Sequence, residues 1–183
     1  MDLGENYLAN AVKEFRRLKR QAEKAVSQTS DADFFRQLDP DANSIAVILK
    51  HVTGNLRSRW ADFLTSDGEK PERNRDLEFE LTPADMRESL MQRWEEGWQT
   101  LFAALAPLRD QDLLRTVIIR DEPYTVVEAI GRQLTHYGEH VGQIVLLARH
   151  FASSKWQTLS IPRGKSEEFN AKMRQKSRER APR

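Results

Sequence analysis

The sequence predicts an all-α chain: a four-helix bundle with one long crossover, followed by a C-terminal extension. Three observations carry that expectation. Four long stretches repeat apolar residues at three-and-four spacing, one long charged connection separates the second from the third, and 183 residues suffice for one buried core. The bundle is expected over residues 1–152 and the extension over 153–183.

The first helix runs from Tyr7 to Val26, with Leu8, Ala11, Val12, Phe15, Leu18, Ala22 and Ala25 on one stripe. The second follows the turn-rich DPDANS, where Asn43 or Ser44 can cap backbone N–H groups. Its stripe is Ile45, Ile48, Leu49, Val52, Leu56, Trp60 and Phe63, with an end expected near Leu64. The segment TSDGEKPERNRDLEFELT holds Gly68, Pro71 and many charges without helical period, so it reads as a long surface connection, functional or disordered. Thr82 before Pro83 is a cap and first-turn pair for the third helix, whose stripe includes Met86, Leu90, Trp94, Trp98, Leu101, Phe102 and Leu105. Pro107 closes it. LLRTVIIR and YTVV are β-branched runs separated by the turn-like DEP, which suggests a small hairpin before the last helix. That helix runs from about Val126 to Phe151, with Ile130, Leu134, Tyr137, Val141, Ile144, Val145 and Ala148 inward and Gly138 and Gly142 permitting close approach of a neighbour.

Composition narrows the function. The absence of cysteine removes disulfides, thiol nucleophiles and thiolate metal ligands together, in agreement with a reducing, cytoplasmic compartment. No secretory-type start and no apolar run of ~18 residues is present, so no membrane partner is expected. Net charge is +1, yet from Arg163 onward eight Lys or Arg face three Glu. With Phe169 as its one aromatic and no binding motif, this basic tail reads as a solvated, flexible terminus rather than a nucleic-acid surface. Glycine-rich phosphate loops, a Gly-x-Ser-x-Gly elbow and a dinucleotide fingerprint are all missing, which sets aside ATP-driven chemistry and the common hydrolase mechanisms.

The chemistry that remains is in the histidines. His136 and His140 are four residues apart, so at about 100° per residue they sit one turn apart on one side of the last helix, at the border of its apolar stripe. His51 occupies the corresponding border of the second helix. Three neutral nitrogen donors in a groove between two helices would leave a fourth position for water or substrate. Such donors suit Zn, Ni, Fe or Cu, and donors alone do not select among them. Two plainer readings compete: a chance pair of hydrogen-bonding histidines, and HYGEH as an inverted zincin pattern with Glu139 as general base, for which no partner glutamate stands out. His150 is about 21 Å along the helix from His136 and cannot join the same site.

Taken together, a histidine late in the second helix followed by Asn55, and then HYGEHVGQIVLLAR in the last helix, resemble the DinB/YfiT-like superfamily of metalloenzymes over nearly the whole chain. More narrowly, LKHVTGNLRSRW, DGEKPERNRDLEFE and WQTLSIPRGKSEEFN resemble a bacterial branch of it that is classed as a domain of unknown function. The resemblance implies a four-helix bundle with a long crossover and a divalent metal on His51, His136 and His140, Zn or Ni first, with Fe, Mn or Cu as the other ions of this class. It also implies metal-dependent transfer of a low-molecular-weight thiol to a small-molecule substrate, and a homodimer. A metal-bound dication favours thiolate over thiol, and the cysteine-free chain would take its sulfur from the cofactor. The alternative is a non-catalytic, stress-related metal-binding or interaction protein of the same class.

No catalytic residue is assigned from the sequence, but three pocket candidates are. Asn55 and Arg59 follow His51 at one-turn intervals and are placed to bind a carboxylate or orient a histidine. Gln143 continues the face of His136 and His140 as a donor behind the ligands, with solvent exposure as the plain alternative. Arg73 and Arg75 are placed to meet an anionic substrate if their loop covers the pocket, against the simpler expectation of a charged solvated loop. Tyr137 reads as core, and Trp60, Trp94 and Trp98 as core or a subunit interface.

Overall fold

The computed structural model describes residues 2–180 of the chain. It is mostly helical, with a small two-stranded antiparallel sheet. Helix α1 spans Leu3–Val26 and starts ahead of the expected Tyr7, because Asp2 and Glu5 form a capping box: the Glu5 N–H donates to Asp2 Oδ1 at 2.7 Å. A short helix absent from the sequence reading, α2 at Asp31–Phe35, is capped by Ser30 and buries Phe34. Helix α3 covers Ile45–Trp60; Ser44 Oγ accepts the Val47 N–H at 3.2 Å. It stops at Trp60 rather than near Leu64, where the chain turns through Asp62 at φ +48°, although Phe63 is still buried.

Helix α4 is Arg87–Leu105 and does not begin at Thr82–Pro83 as expected. The buried Asp85 carboxylate accepts both the N–H and the hydroxyl of Thr82 at 2.9 Å and pairs with Lys50 at 2.9 Å and Arg93 at 2.6 Å. These bonds hold residues 82–85 as a turn, so the helix starts four residues later, with Met86 in the cap position.

Strands β1 (Thr116–Ile119) and β2 (Glu122–Thr125) form the expected hairpin, but the turn falls at Arg120–Asp121 instead of DEP, and Pro123 lies inside β2 opposite Ile118. Arg120 and Asp121 both take positive φ, 57° and 62°, as a two-residue hairpin turn of the twist-matched type requires. Neither is glycine; the Asp67 carboxylate holds them there, accepting their N–H groups at 2.9 and 2.8 Å. Helix α5, Val126–Ala152, then starts from a Thr125/Glu128 capping box. Helix α6, Ser166–Arg180, is exposed along its described length, and the last three residues of the expected basic tail lie outside the described residues.

The four long helices share one core, α3 lying against α4 and α5, and α1 against α5 and α4. At its centre Phe15 packs on Trp60, Trp98 and Tyr137 at ring-centroid distances of 5.9, 6.2 and 6.0 Å. Trp60, Trp94 and Trp98 are therefore core residues. Close helix approach occurs at Gly97, where a Cβ would stand 3.1 Å from Leu56 Cβ; Gly138 and Gly142, expected in that role, face open space. Among the described residues no helix is long and apolar enough to cross a membrane.

Candidate metal centre

The connection between α3 and α4 is not a solvated surface loop. A short 3₁₀ turn at Asp76–Phe79 docks on α3, Glu78 is buried, and Phe79 stacks on the His51 ring at 4.8 Å. Glu78 Oε2 accepts from His51 Nδ1 at 2.8 Å, which requires that nitrogen to carry the proton and leaves His51 Nε2 bare. The approach depends on Gly54: a Cβ there would fall 2.1 Å from Glu78 Oε1.

Helix α5 supplies the other two rings. His140 Nδ1 donates to Gln143 Oε1 at 3.0 Å, so its Nε2 is also bare. His136 Nε2 lies between them, 3.4 Å from His51 Nε2 and 3.2 Å from His140 Nε2, while its Nδ1 is buried without a partner. At most one ring, His136, can point an N–H inward, so at least two of the three facing nitrogens have lone pairs to satisfy. A divalent ion does this. Zn–N bonds of 2.0–2.1 Å in tetrahedral geometry separate ligand nitrogens by about 3.3–3.4 Å. Two of the observed edges match; all three donor atoms lie within 4.8 Å of one another, and the remaining edge is the one an ion has to draw in. The three histidines could therefore hold a metal ion.

His136 and His140 are kept in the neutral form that binds metals. Burial, then the neighbouring rings of His140 and His51 and the guanidinium groups of Arg59 and Arg73, push His136 down to about 3. Burial also lowers His140, against the pull of Gln143. Glu78 is held below the usual carboxylate range: burial opposes this, but hydrogen bonds from His51 and Arg73 outweigh it.

The remaining candidates divide. Gln143 meets His140, but through Oε1 as an acceptor rather than as the donor expected. Asn55 makes no hydrogen bond to His136 or His140 among the described residues: its Oδ1 accepts from the Tyr137 hydroxyl at 3.0 Å, and that hydroxyl in turn accepts from Trp60 Nε1 at 3.1 Å. Arg59 turns to the connection, donating to the Gly68 carbonyl and pairing with Glu69 at 3.1 Å. Arg73 is also turned inward, forked onto Glu78 at 2.8 and 2.9 Å, whereas Arg75 stays exposed. Glu139 is exposed and outside the donor cluster, although it lines the cleft beside His51 and His136, and His150 is exposed and outside that cluster. Glu78 and Gly54 were not found from sequence; a residue in an aperiodic loop carries no signal of what it will face.

A cleft of about 470 Å³ opens on the histidines, with His51, His136 and Asn55 in its wall. A smaller one of about 320 Å³ lies against the other face of Glu78, beside Gly54 and Thr100, and contains no histidine.

Fold and site together define a mostly helical protein with three histidines arranged as a ligand set for a metal ion. The chain belongs to the family described as "Protein of unknown function (DUF1572)", whose model matches residues 2–165. No curated protein matches it.

Proposed function

We propose that this chain is a metal-dependent enzyme of the DinB/YfiT-like class, its four long helices forming that superfamily's bundle and His51, His136 and His140 holding one divalent ion. In this reading it transfers a low-molecular-weight thiol to an electrophilic small molecule, as a homodimer. The observation that supports it is the convergence of three Nε2 atoms, two of them aimed by acceptors on the opposite ring nitrogen.

Bound there, a divalent ion supplies Lewis acidity that favours thiolate over thiol. The chain's own residues supply the rest. Glu78 and Gln143 set the tautomers of His51 and His140; burial keeps His136 neutral; Phe79 screens one face of His51 from water. Tyr137, fully buried and raised by that burial, keeps its proton and acts as a fixed strut between Asn55 and Trp60. A structural site would be closed by a fourth protein donor; here the donor set found among the described residues has three histidines, two of which line an open cleft, which favours catalysis over a purely stabilising ion.

The test is metal content by plasma emission spectrometry on untagged protein purified without chelators, beside His136→Ala and His140→Ala. One divalent ion per chain, lost in both variants, supports the reading; thiol consumption with a panel of electrophiles then examines the reaction. Wild-type protein that takes up no Zn or Ni when offered them overturns it.

A further inference from the structure

Arginines dominate the wall of the histidine cleft. Arg59, Arg73, Arg75, Arg120 and Arg132 line it, against a single lining carboxylate, Glu139. They arrive from four parts of the chain: α3, the docked connection, the hairpin turn and α5. Three of them are held by one residue behind the wall, Glu69, which pairs with Arg59 at 3.1 Å, Arg73 at 3.1 Å and Arg120 at 3.2 Å. Glu78 takes the rest of Arg73. These pairings hold Arg59 and Arg73, whose side chains are 4% and 5% exposed, and fix the frame.

The outer guanidinium groups are left open. Arg120 contacts Glu69 through Nε, and its terminal nitrogens make no hydrogen bond among the described residues. Among the described residues Arg132 donates only to the Tyr124 hydroxyl, at 3.0 Å. Arg75 lies over the Phe79 ring at 4.9 Å and comes no nearer than 3.8 Å to Asp76, whose own side chain is 93% exposed. A second kind of unmet demand sits in the same wall: Arg59 Nε is buried and has no hydrogen-bond partner among the described residues. A buried guanidinium N–H without a partner is costly unless an acceptor meets it.

We infer that this cleft is a binding site for an anionic oxygen group, a carboxylate or a phosphate, gripped by Arg75, Arg120 and Arg132 beside His51 and His136. Guanidinium forks match such groups two bonds at a time, and a cleft of about 470 Å³ accommodates a small molecule that carries one. The inference deepens the proposed function by naming the charge of what binds there, yet its geometry stands on residues that are not metal donors.

The experiment is calorimetric titration of metal-stripped full-length protein with inorganic phosphate and, separately, malonate at matched ionic strength, with chloride as control. The proteins are wild type, Arg75→Gln/Arg132→Gln and His136→Ala. The two arginines are exposed, so the double variant is expected to keep its circular dichroism and melting temperature. Saturable binding of at least one anion by wild type and by His136→Ala, weakened at least tenfold in the double variant, is the expected result; which anion binds identifies the group. No binding at 10 mM probe, or equal binding by the double variant, overturns it. His136→Ala separates this outcome from the metal reading: anion binding with no metal uptake in wild type leaves the cleft assigned and removes the metalloenzyme.

Discussion

At His51 a single hydrogen bond decides which nitrogen meets the other two rings, and the partner in that bond, Glu78, was invisible in the sequence. His136 and His140 were legible because a helix has a fixed period, so four residues of spacing place two rings on one side without any other information. Glu78 sits in a segment with no period, and only its docking reveals it. Glu78→Gln is expected to weaken metal affinity ten- to a hundredfold, the range seen when a carboxylate behind a ligating histidine is lost. Gly54→Ala should move in the same direction, since its Cβ would occupy the place of Glu78 Oε1. Competition titration against a chromophoric chelator measures both, and unchanged affinity in both variants would show that Glu78 does not orient the ligand.

Among the elements, the connection from α3 to α4 and the hairpin were read least well, for one physical reason: each is shaped by carboxylates from elsewhere in the chain. Asp67 holds the Arg120–Asp121 turn, and Asp85 displaces the start of α4. The helices were read better because their apolar stripes are local: Ser44, Leu49, Trp60, Trp98 and Ile130 are all buried. Asp85 also carries a pH dependence. Burial opposes its charge, but Arg93, Lys50 and Thr82 outweigh burial and hold the carboxyl well below the usual carboxylate range. A depressed folded pKa means that the unfolded chain takes up the proton first, so this stability is complete above the unfolded value near 3.9 and is lost as pH falls below it. Asp85→Asn is expected to cost about 1–3 kcal/mol at pH 7, by urea unfolding, and progressively less as pH falls through that window. A cost that does not change with pH would remove the carboxylate's charge from the account.

For the whole molecule, an ion bound at the triad joins α3 to α5, two elements far apart in the sequence. Because an unfolded chain offers no such set of donors, ion present at a hundred times its dissociation constant is expected to stabilise the fold by about 2.7 kcal/mol. For a chain of this size that is a rise in melting temperature of about 5–11 °C, read by calorimetry with and without Zn and absent in His136→Ala. Mostly helical architecture was legible from periodicity, as was the pairing of His136 with His140; the approach of α3 to α5, which brings His51 to them, is tertiary, so the stripe borders could only suggest it and the resemblance imply it. The bond from Glu78 to His51 has a kinetic corollary. The residue that aims the ligand belongs to the connection, so lifting that segment off α3 and loosening the ion are one event, and the ion's residence time should equal the opening time of the segment. Isotope exchange of bound Zn and amide hydrogen exchange across residues 76–79 should then report a common rate, one that rises together in Gly54→Ala.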